Sequence, residues 1–431
     1  MILQSKSYRD HVVPIKQTPV NVKLSYLKLI LSLTELEEFA DALLDQISVE
    51  INEEKDIANL SARISEDSDF AINFETPQQI AQKIMPELAQ KITEFTGITP
   101  SHTITVEFPD LEELKKIKGR KVFATQDARE FVDKLFIALA KQERQSIVGI
   151  IKEDTAKFLV YSTYAKSYIS KISTTYGDYL DGTIHVNNFV LSSYPQIILY
   201  KQGKPYSLRY EGVRSGYVGA LKMTILEELV HSIQNELYEK NRQAVIEVNQ
   251  INEELAKIIL NLDDSTASKL SEYLQLPDVP PEFPIAKRAN LFFTLNPDNF
   301  IVNVLGPDVM TFTKVEIDPT ISAMIPQLLG IYQRWLGPIQ RHHAIFSTME
   351  GMAEFCVQTI LSDDEDFAQY LTTFMGTDIS SYQVRKHMGK DLTSLVYSSH
   401  GKNTFQILMQ NPPNTRELKD PQLYLKRINQ T

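Results

Sequence analysis

Between Ala220 and Gln234 apolar residues recur at three- and four-residue spacing, with no glycine or proline to interrupt them. That period predicts a helix. Leu237, Ala244, Val248, Ile251, Leu255, Ile258 and Leu262 keep the spacing, so the helix is expected to run on to about Leu262, with a core-facing or antiparallel hairpin seam. Asp263-Asp264-Ser265-Thr266 ends it. Upstream, helical periodicity covers Ser25 to about Leu44, Thr76 to Phe95 (opened by Thr76-Pro77), Asp127 to Lys141 and Arg144 to Ile172. Period-two alternation predicts strands at His102 to Glu107 and Thr183 to Asn187. Gly177 to Gly182 reads as a break. Gln196–Tyr200 and Tyr206–Tyr210 read as a hairpin around Lys201-Gln202-Gly203-Lys204-Pro205. The proline-rich stretch Leu276 to Pro284 suits a linker. Ile321 to Ser362 is helical again, with an interruption expected at Gly337-Pro338. The fold class is α+β and helix-rich, with strands leading directly into the central helix.

That helix carries the first candidate chemistry. At about 100° per residue, Glu227 and His231 lie on one face, about 40° apart, and Glu228 projects beside them. A second acidic pair, Glu350 and Glu354, sits one turn apart in Ser347-Thr348-Met349-Glu350-Gly351-Met352-Ala353-Glu354. Carboxylates in an apolar helix require partners. A bound cation is one; Arg341, His342 and His343 are the ordinary alternative.

Composition narrows the chemistry. A net charge of −11 over 431 residues argues against nucleic acid and against an anionic membrane surface. No apolar run reaches the roughly 18 residues of a membrane span. The N-terminus lacks a signal-peptide layout, so a cytoplasmic protein is expected. The one cysteine, Cys356, permits no intrachain disulfide and no cysteine zinc cluster, and reads as a core thiol. Any metal site must use His, Asp and Glu.

Glu-Glu-x-x-His at 227–231, followed by Glu-Gly-x-Ala-Glu at 350–354, resembles the gluzincin metallopeptidases, the thermolysin-like class of zincins. Ser381-Tyr382, Gly389, Gly401 and the tail Asn411-Pro412-Pro413-Asn414-Thr415 through Tyr424 are similar to the C-terminal end of uncharacterised gluzincins. The resemblance spans roughly residues 165–425. It departs from the family at Glu227, where the motif carries histidine.

The resemblance implies a zincin-like domain over 151–431 with a long insertion at about 236–340; residues 1–150, outside the resemblance, read from their periodicity as a mainly helical region open to a protein partner. It implies Glu227, His231 and Glu350 as metal ligands, Glu228 as general base and Glu354 as a supporting acid. Thr183, Ile184, His185, Val186 and Asn187 would form the edge strand that pairs with a peptide or protein substrate. His342, His343, Tyr382 and His387 are candidates for stabilising the transition state. The implied cofactor is one divalent metal, zinc first, with Mn or Fe suited to the extra carboxylate. Three readings follow: a metallopeptidase with altered metal preference, a carboxylate-rich metal-binding protein, or a degenerate scaffold without metal. A ferritin-like bundle needs a second Glu-x-x-His, and no other histidine supplies one.

Overall fold

The computed structural model describes residues 2–6, 12–14, 77–100, 103–109, 113–114, 117, 125–140, 143–161, 176–187, 210–276, 278, 284–298, 314–373 and 381–430. The helical prediction over Ser25–Leu44 and the hairpin up to Arg209 lie outside these residues.

The strands are β1 (Ile2–Lys6), β2 (Val12–Pro14), β3 (Thr105–Glu107), β4 (Gly177–Leu180), β5 (Thr183–Val186) and β6 (Lys314–Glu316). The helices used below are α1 (Pro77–Thr96), α2 (Gln126–Ala140), α3 (Arg144–Glu153), α4 (Tyr210–Ser232), α5 (Asn235–Leu260), α6 (Asp264–Tyr273), α7 (Pro284–Leu295), α8 (Pro319–Met324), α9 (Leu328–Ile360), α10 (Glu365–Thr373), α11 (Ser381–His400), α12 (Asn403–Gln410), α13 (Thr415–Lys419) and α14 (Pro421–Ile428). The chain is helix-rich with small sheets. Among the described residues no helix is long and apolar enough to cross a membrane.

These elements form two compact units that interleave along the chain. The first comprises Met1–Val49, Phe123–Ser167 and Asn241–His343; the second comprises Glu50–Val122, Tyr168–Lys240 and Ala344–Thr431. Neither unit begins or ends near residue 150. The stretch 236–340 falls largely in the first unit together with residues 123–167.

The first unit holds an antiparallel sheet in the order β2-β1-β6 and the helices α2, α3, α6, α7 and α8, with most of α5 and the first half of α9. Tyr332 and Trp335 on α9 and Phe292 and Leu295 on α7 are fully buried there. Asp263, expected to end a helix, caps the next one: its side chain accepts from the Thr266 N–H. Pro338 does not interrupt α9, which runs through it. Gly337-Pro338 is thus no breaker in a helix whose neighbours Tyr332, Trp335, Ile339 and Ala344 are all buried.

The second unit is built on α4. Leu221, Ile225, Leu226, Leu229 and Val230 are each wholly buried along it, the apolar face that the sequence period requires. A three-stranded mixed sheet, ordered β3-β5-β4, belongs to this unit: β5 pairs parallel with β3 and antiparallel with β4. Asp181-Gly182, both with positive φ, forms the two-residue turn between β4 and β5. Read from sequence as a break, Gly177–Gly182 is in fact one strand and its turn. The tail resembling the gluzincin end is a structural lock. Asn414 and Glu417 make a capping box for α13, Arg427 pairs with Glu417 at 2.6 Å, and the Tyr424 hydroxyl donates to the Asn411 carbonyl at 2.7 Å.

Candidate metal centre

The site begins at the end of α4, where the sequence predicted no break. Instead of continuing to Leu262, the helix closes at Ser232, and α5 starts afresh at Asn235. Two tightened bonds mark the stop, Ile233 N–H to the Val230 carbonyl at 3.1 Å and Gln234 N–H to the His231 carbonyl at 3.2 Å. The break leaves Gln234 outside either helix and fully buried. Its amide nitrogen donates to the Met349 carbonyl on α9 at 3.0 Å. That bond turns the amide oxygen toward Nδ1 of His231, 2.9 Å away, so Nδ1 must carry a proton. In the neutral ring Nε2 then presents its lone pair toward Glu350, whose Oε1 is 3.7 Å off.

Glu350 reaches that point because α9 and α11 approach at glycines. A Cβ on Gly389 would stand 1.7 Å from the Ser347 carbonyl oxygen, and one on Gly351 would stand 2.1 Å from the Gly389 carbonyl carbon. No other residue type fits that crossing. It brings Lys386, one turn before Gly389, beside the residue preceding Gly351. The Lys386 ammonium bonds to Oε1 of Glu227 and lies 4.0 Å from Oε2 of Glu350. At an effective dielectric of about 20, the second contact is worth about 4 kcal/mol before desolvation is subtracted. Burial opposes the charge of Lys386, but Glu227, Glu350 and Glu354 outweigh it and hold the ammonium pKa above its ordinary value.

Glu227, His231 and Glu350 each offer a ligand atom, and these atoms lie within 4.8 Å of one another. The cluster could hold a metal ion. Ligands about 2.1 Å from a tetrahedral ion stand about 3.4 Å apart, so the His231–Glu350 pair needs only a small contraction. The phenol of Tyr370 on α10 is near enough for Glu227 to act on it: burial, Tyr176 and Glu227 all push its pKa up.

The other predicted site residues fall elsewhere or act differently. Glu228 is buried, and its Oε2 accepts from the Tyr179 N–H on β4 at 2.7 Å. It is therefore tied to the sheet and is not one of the three clustered ligand residues. Glu354 does lie behind the site, its Oε1 taking Gln358 at 2.8 Å, His387 at 3.3 Å and Lys390 at 3.5 Å. His387 is half exposed and is spent on Glu354. His342 and His343 belong to the first unit, where His342 bonds Asn241 at 2.8 Å and Arg341 pairs with Glu247 at 2.5 Å. Within the acidic pair, Glu350 faces His231 and Lys386, and Glu354 faces His387 and Lys390. Tyr382 lies on α11, but its side chain is outside the described residues.

Thr183, Ile184, His185, Val186 and Asn187 do not form an edge strand. Residues 183–186 are the middle of the sheet, with both sides paired, because the Asp181-Gly182 turn folds β4 onto one side and the β3 segment takes the other. Among the described residues β4 is an outer strand of this sheet, and its Tyr179 N–H donates to Glu228. Cys356 is fully buried, and burial pushes its thiol pKa up, as fits a core residue.

Lys386 went unread in the sequence because its contact with Glu227 spans 159 residues. The one available signal was Gly389, whose pairing with Gly351 sets the helix crossing. Compared with known proteins, the chain matches no family model, no curated protein and no solved structure.

Proposed function

We propose that the chain is a metal-dependent hydrolase of the gluzincin type, acting on peptide bonds through one divalent ion held by Glu227, His231 and Glu350. The observation that carries this reading is the imidazole of His231. Gln234 fixes its tautomer, so that Nε2 and the carboxylates of Glu227 and Glu350 converge within 4.8 Å. Two carboxylates and one imidazole suit Mn²⁺ or Fe²⁺ as well as zinc. When bound, the ion supplies Lewis acidity, making a coordinated water more acidic and polarising a carbonyl.

The chain's own groups divide the remaining work. Glu228, adjacent to the ligand Glu227 on α4, is the acceptor for the nucleophile's proton, and its hydrogen bond from Tyr179 orients it. A peptide backbone would meet the site along β4, the strand edge at which Glu228 already engages an N–H. Lys386 places a cation at the site, 4.0 Å from Glu350.

One observation favours a second reading, a degenerate scaffold. The Lys386–Glu227 pair neutralises a ligand carboxylate without any metal. Elemental analysis of protein purified without chelators separates the two. A stoichiometric transition metal, lost in Glu350→Ala, is expected; metal-free protein whose melting temperature ignores both chelator and added metal would leave the scaffold. Cleavage of a peptide library, with Glu228→Gln as control, tests the chemistry. Equal rates in both proteins would remove Glu228 as base.

A further inference from the structure

The ion proposed above and a side chain of the protein claim the same two carboxylates. The Lys386 ammonium bonds to Glu227 and sits 4.0 Å from Glu350, and these are two of the three clustered ligand residues. We propose that Lys386 is a built-in counter-ion that offsets one of the two charges of Glu227 and Glu350 in the metal-free protein, and that a divalent ion loads only by displacing the ammonium from Glu227. This inference rests on the metal reading of the site.

Charge matching supports it. With Lys386 in place, the two carboxylates and the ammonium sum to a single negative charge; with it withdrawn, two carboxylates match a dication. An ammonium and a divalent ion sharing one carboxylate pair repel at distances where water screens poorly. The residue is also placed to move. It extends from α11, whereas the ligands come from α4 and α9, and its four-carbon stem is flexible. Glu354, one turn along α9 from Glu350, offers a second acceptor, and its charge already acts on Lys386. Withdrawal by about one helical turn, about 5 Å, therefore keeps the ammonium paired. The Gly351–Gly389 contact holds the base of the stem in place, so only the side chain moves.

The device has two consequences. The metal-free protein keeps only one uncompensated charge among these three groups and does not depend on the ion for folding. The site also discriminates, because an ion held weakly by carboxylate and imidazole, such as Mg²⁺, does not displace the lysine, whereas Zn²⁺ or Mn²⁺ does.

Calorimetric titration of the full chain with Zn²⁺ and Mn²⁺, on chelator-stripped wild type, Lys386→Met and Lys386→Arg, tests it. Lys386→Met is expected to bind at least about tenfold more tightly than wild type, and Lys386→Arg, which keeps the cation, to bind like wild type. The metal-free Lys386→Met protein should melt below wild type, and added metal should raise its melting temperature by more. If that variant does not fold without metal, Lys386→Gln, which keeps a hydrogen bond to Glu227 without the charge, provides the comparison. Equal affinities in wild type and the uncharged variant, with binding still lost in Glu350→Ala, would overturn the counter-ion role and leave the metal site standing. Failure of every variant to take up metal would overturn both.

Discussion

Asp298, in the first unit, offers the sharpest test of the energetics read from this structure. Its half-buried carboxyl group accepts from the indole N–H of Trp335 at 2.8 Å and from the Asn252 side chain. Burial pushes its pKa up from 3.8 to about 6, against the two hydrogen bonds, which pull it down. The folded protein thus holds the Asp298 proton more tightly than the unfolded chain does. Its contribution to stability is full below about pH 4, falls as pH rises toward 6, and is flat above. At about 1.4 kcal/mol for each pH unit between the two pKa values, ionisation costs about 3 kcal/mol at neutral pH. Asp298→Asn removes that cost. The new amide oxygen can still accept from Trp335. The amide of Asn252, whose Oδ1 is buried with no hydrogen-bond partner, can turn over to accept from the new NH₂. The variant is therefore expected to be more stable than wild type by about 1–3 kcal/mol at pH 7.5, an advantage about 2 kcal/mol smaller at pH 4.5. Urea unfolding followed by Trp335 fluorescence is the assay, since the chain has one tryptophan and it is the donor to Asp298. A difference between variant and wild type that stays constant from pH 4.5 to 8, or a uniformly less stable variant, would refute the reasoning.

Two further outcomes follow from the site. Gly389→Ala drives a methyl group into the Ser347 carbonyl, so α9 and α11 must separate. A loss of about 3 kcal/mol or more, measured by denaturant unfolding, is expected together with loss of metal uptake. Gln234→Leu keeps the volume but releases the His231 ring and removes the side-chain donor to the Met349 carbonyl. Metal affinity should drop by about 10–100-fold in a chelator competition; unchanged affinity would show that the tautomer is fixed by something else.

Much of the helical skeleton was legible because burial imposes a period. The Leu221–Val230 face of α4, the bounds of α2 and the start of α1 at Pro77 follow from apolar spacing and proline chemistry. The breaks were less so. Pro338 sits inside α9 because buried neighbours on both sides hold the helix through it, while α4 stops at Ser232 without any glycine or proline. Gly177–Leu180 was hidden as a strand because its partner β5 and its two-residue turn define it, more than its own four residues do.

By itself, then, the sequence determined that Glu227 and His231 share a helical face, that Glu350 and Glu354 share another, and that a metal here would have to be held without cysteine. These are consequences of a 3.6-residue repeat and of residue chemistry, and they need no neighbour. Only the tertiary structure decided that Glu350 rather than Glu354 meets His231, that Gln234 sets the ring, that Glu228 faces a strand edge, and that Lys386 lies between the acidic side chains. Each of those contacts joins residues from different elements, most of them tens of residues or more apart in the chain. Local spacing carries no information about such distances; they are settled by which faces pack, and at one crossing by two glycines that let two helices touch.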